Sequence, residues 1–358
     1  MFKESQMLLS EFDYRLPEEL IAQRPLDDRA GARMLVVHRA GRRWEDRVFR
    51  DLPQYLRPGD CLVVNDSRVF RSRLYGRRAG VRALPVGKKN PARHEYLKGT
   101  VEVFLVRPEA GDPRVWRALV HPGRKMHVGE RVFFEGGLEA EIVSRGAFGE
   151  RTLRFNHDGD LIAKFDQIGH VPLPPYIHRP DEAADRDRYQ TVFASQPGSV
   201  AAPTAGLHFT PEVLEACRAA GAEVARVTLH VGLGTFQPVR TETVEDHKIH
   251  SEYYEVLPEE AAKIRAARRV VAAGTTSVRT IETICRTGEL RGETNLYIYP
   301  GYEFACTGAM LTNFHLPKSS LLLLVSAFGG TELVLAAYRH AVEQKYRFYS
   351  YGDCMLLL

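Results

Sequence analysis

Proton-handling side chains stand beside small residues in two stretches of this 358-residue chain, the combination that a close-fitting ligand site needs. At residues 201–210 the run Ala-Ala-Pro-Thr-Ala-Gly-Leu-His-Phe-Thr leads up to His208, just before a helix start at Thr210-Pro211-Glu212. Small residues such as Gly206 let a ligand approach the backbone, and histidine takes up and releases protons near neutrality. A tight loop packed beneath a helix, with His208 capping it, would read the same way. At 230–236, His230 follows a strand and precedes a Gly-Leu-Gly step, which without a further glycine is no dinucleotide fingerprint. Phe209 and Phe236 stand beside these clusters, as ligand contacts or as core.

The run at 270–280 is a buried strand turning through Gly274 into the helix start Thr275-Thr276-Ser277, with Arg279 two residues further on. Such a turn aims backbone N–H groups, hydroxyls and a positive helix end at one point, an anion site for a carboxylate or phosphate to which Arg279 can add a bidentate contact. Any well-capped helix shares that pattern. His247, His250 and Glu252 invite a metal reading, but the segment runs into a strand, where that spacing puts the two histidines on opposite faces, so no metal site is expected. Asp66 and Arg68 stand at a strand end that opens into Arg71 and Arg73, either as a surface ion pair or as ligand contacts.

Positioning these groups requires two kinds of architecture. Short apolar segments at 101–106, 115–120, 131–134, 140–144 and 151–155, separated by Gly and Pro turns, predict a small β-barrel or sandwich. Strands at 34–38 and 61–65 precede it, with a short helix start at 16–22. After the Pro-rich connector at 169–180, helices and strands alternate: a helix from 211, a strand at 223–231, a helix at 258–268, a strand at 269–273 and a helix at 277–286. The scheme continues through 321–327 and a helix at 332–345, which predicts an α/β domain with a parallel or mixed sheet.

Charge is divided unevenly. Residues 57–127 hold 16 Lys and Arg against 6 Asp and Glu, net +10, which leaves −6 for the rest of a chain whose total is +4. A region built to meet polyanions is expected of a protein with a nucleic-acid substrate, although a solvated basic loop gives the same count. No run of about 18 apolar residues and no signal-like leader is present, so a cytoplasmic protein without a membrane partner is expected. Cys61, Cys217, Cys285, Cys306 and Cys354 form no CxxC pair and are read as reduced, buried thiols.

The wording and order of the motifs closely resemble the S-adenosylmethionine:tRNA ribosyltransferase-isomerase family of the queuosine pathway. The strings are FDYRLPEELIAQRP at 12–25, LVVNDSRVF at 62–70, PLPPYI at 172–177, RYQTVFA at 188–194, GSVAAPTAGLHFT at 198–210 and TLHVGLGTFQPV at 228–239. They continue with HSE at 250–252, GTTSVRT at 274–280, IYPGY at 298–302, TNFHLPKS at 312–319 and YRFYSYGDCMLL at 346–357. The barrel region matches only loosely. Where the family usually reads PARL, this chain has Arg71-Ser72-Arg73-Leu74, and 83–98 is longer and more basic than usual.

That resemblance implies a mixed-sheet α/β catalytic domain, residues 1–72 and 168–358, interrupted by an inserted all-β barrel at 73–167 that faces tRNA. It implies transfer of the ribosyl group of S-adenosylmethionine to 7-aminomethyl-7-deazaguanine at the tRNA wobble position, with rearrangement to epoxyqueuosine and loss of adenine and methionine. S-adenosylmethionine is then a consumed substrate, and no metal or other cofactor is called for. His208 is the expected general base or proton donor, with His230 and Glu252 as competitors; Thr275, Thr276, Ser277 and Arg279 are expected on an anion. Arg68, Arg71, Arg73 and Lys318 are expected on RNA, and the chain is expected to act as a monomer. A non-catalytic RNA-binding protein and a metal-dependent hydrolase are the alternatives; the first predicts no product, the second chelator sensitivity.

Overall fold

Successive side chains of the central strands enter two different cores. Cys61, Val63, Val270 and Ala272 belong to one, and Leu62, Val64, Val271 and Ala273 to the other. A strand with period-two contacts to two apolar layers must lie in a sheet covered on both faces. The computed structural model, which describes residues 6–80, 99–109, 111–146, 149–232 and 239–358, has that arrangement.

Contacts divide the chain into two units, Met1–Arg68 with Pro174–Leu358, and Val69–Leu173. The first carries a nine-stranded sheet. From edge to edge its strands are Arg291–Thr294, Glu252–Glu255, Glu223–Leu229, Asp60–Asn65, Arg269–Ala273, Thr307–Asn313, Cys354–Leu357, Arg33–His38 and Arg43–Val48. Glu223–Leu229 through Thr307–Asn313 are parallel neighbours, and antiparallel pairs flank them, so the sheet is mixed. The helix Pro211–Ala219 and the 3-10 segment Phe49–Tyr55 cover one face. Pro258–Ala266, Thr275–Thr287, Ser320–Gly329 and Thr331–Glu343 cover the other.

Local chemistry sets the helix starts. Thr210 Oγ1 accepts from the Val213 N–H at 3.3 Å with Pro211 in the first turn, and Ser319 Oγ accepts from Leu322 N–H at 3.2 Å. The helix expected from Ser277 starts at Thr275, because Gly274 adopts φ +95°, a value open to glycine, and turns the chain two residues earlier. The apolar run at 321–327 is helix, and the start expected at 16–22 is only the 3-10 turn Glu18–Leu20. No single described helix is long and apolar enough to cross a membrane; Ser320–Gly329 and Thr331–Glu343 bend by 115° at their junction and bury Leu322, Leu324, Val334 and Tyr338 in the core.

The second unit is a closed six-stranded antiparallel barrel of Arg73–Arg78, Thr100–Glu109, Asp112–His121, Arg131–Phe134, Glu139–Arg145 and Glu150–Phe155. Phe70, Trp116, Phe155 and Phe165 fill it with ring centroids 5.1 to 6.3 Å apart, edge-to-face in every pair but the tilted Phe70–Phe165. It is wider than the expected 73–167, since Phe70 joins this cluster and Arg73 donates to the Leu173 carbonyl. The basic segment at 83–98 lies outside the described residues.

One expectation about cysteine is corrected. Cys285, near the end of Thr275–Thr287, and Cys306, just before Thr307–Asn313, form a disulfide with Cα atoms 6.6 Å apart. They lie 21 residues apart in sequence and meet only because the helix packs on that strand, which spacing alone does not reveal. Cys61, Cys217 and Cys354 are free and buried, and burial pushes the thiols of Cys61 and Cys217 up to about 12.

Candidate active site

The parallel strands end on one side of the sheet, and the segments that leave them enclose a cavity of about 190 Å³. Val231 follows Glu223–Leu229, Gly274 to Thr276 follow Arg269–Ala273, and Thr312 to Ser319 end and follow Thr307–Asn313. Ala201 to Ala205, Tyr176, Leu321, Tyr349 and Ser350 complete the lining. A crevice beyond the carboxyl ends of parallel strands is where α/β folds bind ligands. Its exposed surface is largely apolar, although eight hydroxyl-bearing residues, one amide, one imidazole and one ammonium line it, and no carboxylate does so among the described residues.

Thr275 and Thr276 line this cavity. The helix they begin has no side-chain N-cap, so its first-turn amides carry the usual positive end of a helix at the cavity wall. Asn65, at the end of its own strand, donates to Thr276 Oγ1 (3.1 Å) and the Leu229 carbonyl (3.0 Å), tying three strand ends together. Ser277 is completely buried, and its hydroxyl donates back to the Ala273 carbonyl at 2.8 Å, a helix-start bond rather than a ligand contact.

Asn313 organises the opposite wall. Its amide nitrogen donates to the carbonyls of Tyr349 (2.8 Å) and Ser350 (3.3 Å), which leaves Oδ1 to accept from His208 Nε2 at 3.0 Å. His208 is thus in the Nε2–H tautomer and sits behind the cavity wall, not on it. Its ring lies 5.3 Å from Phe49, and burial lowers its pKa to about 4. It also lines a second, smaller cavity of about 20 Å³ with Arg29, Leu207 and Tyr351.

The other candidates are corrected in part. Arg279 does not reach toward Thr275; its guanidinium donates to Glu252 and to the carbonyls of Leu296 (3.0 Å) and Thr294 (3.2 Å). Both partners of that ion pair are buried, and Glu252 also accepts from the Gly232 N–H at 2.8 Å, so neither lines the cavity. His230 stacks on Tyr253 with ring centroids 6.0 Å apart, and burial lowers its pKa; its Nδ1 has no hydrogen-bond partner among the described residues. Phe209 is completely buried against Phe49 and Phe193 and is core, and Gly206 serves packing, since a Cβ there would meet Thr191 at 2.7 Å. Phe236 lies outside the described residues.

Asp66 is no surface ion-pair partner. It is buried, and its two carboxylate oxygens accept from the hydroxyls of Thr228 and Ser195, each at 2.7 Å. Arg68 is exposed, and Arg71 is half-buried with its N–H on Asp166 at 3.0 Å. Arg73 is engaged inside the barrel unit, by Glu102 at 3.1 Å and the Leu173 carbonyl. Lys318, expected on RNA, lines the cavity and pairs with Asp13 at 2.6 Å. No group of three or more His, Cys, Asp or Glu among the described residues is placed to hold a metal ion.

Sequence reasoning missed Tyr176, Asn313, His315, Tyr349 and Ser350. All lie in the strings PLPPYI, TNFHLPKS and YRFYSYGDCMLL, and an Asn-Phe-His run at the end of a buried strand was the available signal.

Fold and site together define an enzyme with a small-molecule cavity on a mixed α/β body and a β-barrel inserted into the chain. A family model described as queuosine biosynthesis protein matches residues 9–357. Proteins named S-adenosylmethionine:tRNA ribosyltransferase-isomerase from Solibacter usitatus and Symbiobacterium thermophilum are 69% and 49% identical, over 98% of this chain and 100% of each relative. The crystal structure of S-adenosylmethionine tRNA ribosyltransferase from Thermotoga maritima is similar with a TM-score of 0.53 and 37% identity, covering 98% of this chain and 100% of that one. This chain belongs to the queuosine biosynthesis protein family and is a transferase-isomerase.

Proposed function

We propose that the protein moves the ribosyl part of S-adenosylmethionine onto the aminomethyl group of 7-aminomethyl-7-deazaguanine at the wobble position of tRNA, and rearranges it to epoxyqueuosine. Adenine and methionine leave. The observation that carries this reading is convergence: PLPPYI, GSVAAPTAGLHFT, GTTSVRT, TNFHLPKS and YRFYSYGDCMLL are far apart in sequence and all contribute to one cavity. Its largely apolar surface, set with hydroxyls, suits a nucleoside.

The sulfonium acidifies C5′ of the ribosyl group, so a positioned base forms an ylide that opens the sugar and expels adenine. The aminomethyl nitrogen attacks, and closure to the epoxide expels methionine. The uncapped turn at Gly274 to Thr276, facing the same cavity as Lys318, is suited to the methionine carboxylate. His208 acts through Asn313, holding that amide to the backbone of Tyr349 and Ser350. S-adenosylmethionine is consumed, so no separate cofactor is required, and the chain works as a cytoplasmic monomer.

Incubation of the protein with S-adenosylmethionine and tRNA bearing the aminomethyl-deazaguanine, in the presence of a chelator, tests this. Epoxyqueuosine in the digested nucleosides with one adenine and one methionine released per residue formed is the expected result. Bound but unchanged tRNA would leave only an RNA-binding role, and activity lost to the chelator would favour the hydrolase class.

A further inference from the structure

None of the three proton-transfer candidates drawn from sequence lines the cavity: His208 is bonded to Asn313, His230 stacks on Tyr253, and Glu252 is held by Arg279 and the Gly232 amide. One imidazole lines the cavity itself among the described residues, that of His315. The Thr312 hydroxyl donates to the Asn313 carbonyl at 3.4 Å, so its Oγ1 accepts from His315 Nε2–H at 2.8 Å, and Nδ1, which keeps its lone pair, makes no hydrogen bond among the described residues. The backbone at this position is held from both sides, the N–H donating to the Tyr338 hydroxyl at 3.1 Å and the carbonyl accepting from Tyr14. A ring oriented through one nitrogen, with the other unengaged in a ligand cavity, is the geometry of a general base.

We infer that His315 is the base of the reaction proposed above, on which the inference rests: Nδ1 takes the proton from C5′ of the sulfonium nucleoside. The C–H electron pair stays on carbon as the ylide. The imidazolium then gives the same proton to a ring nitrogen of the departing adenine, so the histidine ends neutral and no outside acid, base or oxidant enters. Burial lowers the pKa of His315 to about 3, which keeps the ring neutral at pH 7 and makes its imidazolium a ready proton donor. Thr312 is a positioning residue that sets the ring plane.

The experiment compares wild type, His315→Gln, His315→Ala and Thr312→Val for release of adenine from S-adenosylmethionine in the presence of modified tRNA. Wild type must first release adenine; if it does not, the proposed function fails and this inference with it. With wild type active, His315→Gln is expected to lose about 10²- to 10⁴-fold in kcat. Its KM for S-adenosylmethionine should stay within about three-fold and its melting temperature near that of wild type. Added imidazole should restore part of the activity of His315→Ala, a response that a merely structural histidine would not give. Folded His315→Gln with turnover within about five-fold of wild type overturns the assignment. So does a loss that appears wholly in KM. If both His315 variants fail to fold, the isosteric Thr312→Val decides: a fall of about ten-fold or more in kcat supports the ring's role, and unchanged turnover overturns it.

Discussion

Asn313 can make its three hydrogen bonds only if His208 supplies a donor, so the histidine that sequence singled out works as a support for the cavity wall. Replacing His208 by Ala leaves a buried amide oxygen without its partner, which costs about 1–3 kcal/mol. Urea unfolding should record that loss, and KM for S-adenosylmethionine should rise more than kcat falls; unchanged stability would mean that Asn313 finds another donor. The Glu252–Arg279 pair tests a second residue-scale claim. Removing either partner strands a buried charge at a cost of about 3–5 kcal/mol, whereas Glu252→Gln combined with Arg279→Met should recover much of it in a double-mutant cycle. Additive losses would contradict a direct pair. At this scale the sequence was legible where backbone pattern decides, as at Gly274, Thr275 and Thr276, which do face the cavity. It was illegible where a tertiary partner decides: nothing local to Arg279 says that a carboxylate 27 residues earlier will occupy it.

Elements were read more faithfully than partners. The strands at 34–38, 61–65, 131–134 and 269–273 fall within a residue of the observed Arg33–His38, Asp60–Asn65, Arg131–Phe134 and Arg269–Ala273, because each is a short apolar run bounded by polar or turn residues. The run at 321–327 is apolar in the same way, but Ser319 caps it as a helix, buried nearly all round. The disulfide is another product of packing between elements, joining the end of a helix to the start of the strand beneath it. Thiol titration of the denatured, unreduced protein should therefore find three reactive groups, those of Cys61, Cys217 and Cys354, and five after reduction. Five before reduction would show Cys285 and Cys306 to be free.

For the whole molecule, buried neutral histidines tie stability to pH. The folded-state pKa values of His208 and His315, about 4 and about 3, lie below the unfolded value, so below that value the unfolded chain binds more protons. Their contribution is intact above a pH of about 6.5 and is lost progressively as pH falls toward those folded values. The melting temperature should thus drop from pH 7 to pH 5, where most carboxylates are still ionised; a flat profile would contradict buried neutral rings. The charge asymmetry also belongs to this scale. Many basic side chains of the barrel are already paired, Arg73 with Glu102, Arg78 with Glu130, Arg114 with Asp112 and Arg117 with Glu109, so the count of arginines overstated the free positive surface. Everything proposed for the molecule depends on one cavity of the α/β unit consuming S-adenosylmethionine to modify tRNA. The most direct test is mass spectrometry of nucleosides from tRNA carrying 7-aminomethyl-7-deazaguanine after incubation with the protein and S-adenosylmethionine. Epoxyqueuosine with equimolar adenine and methionine is the expected result; tRNA that binds but keeps its aminomethyl-deazaguanine, with S-adenosylmethionine intact, would rule the proposed reaction out.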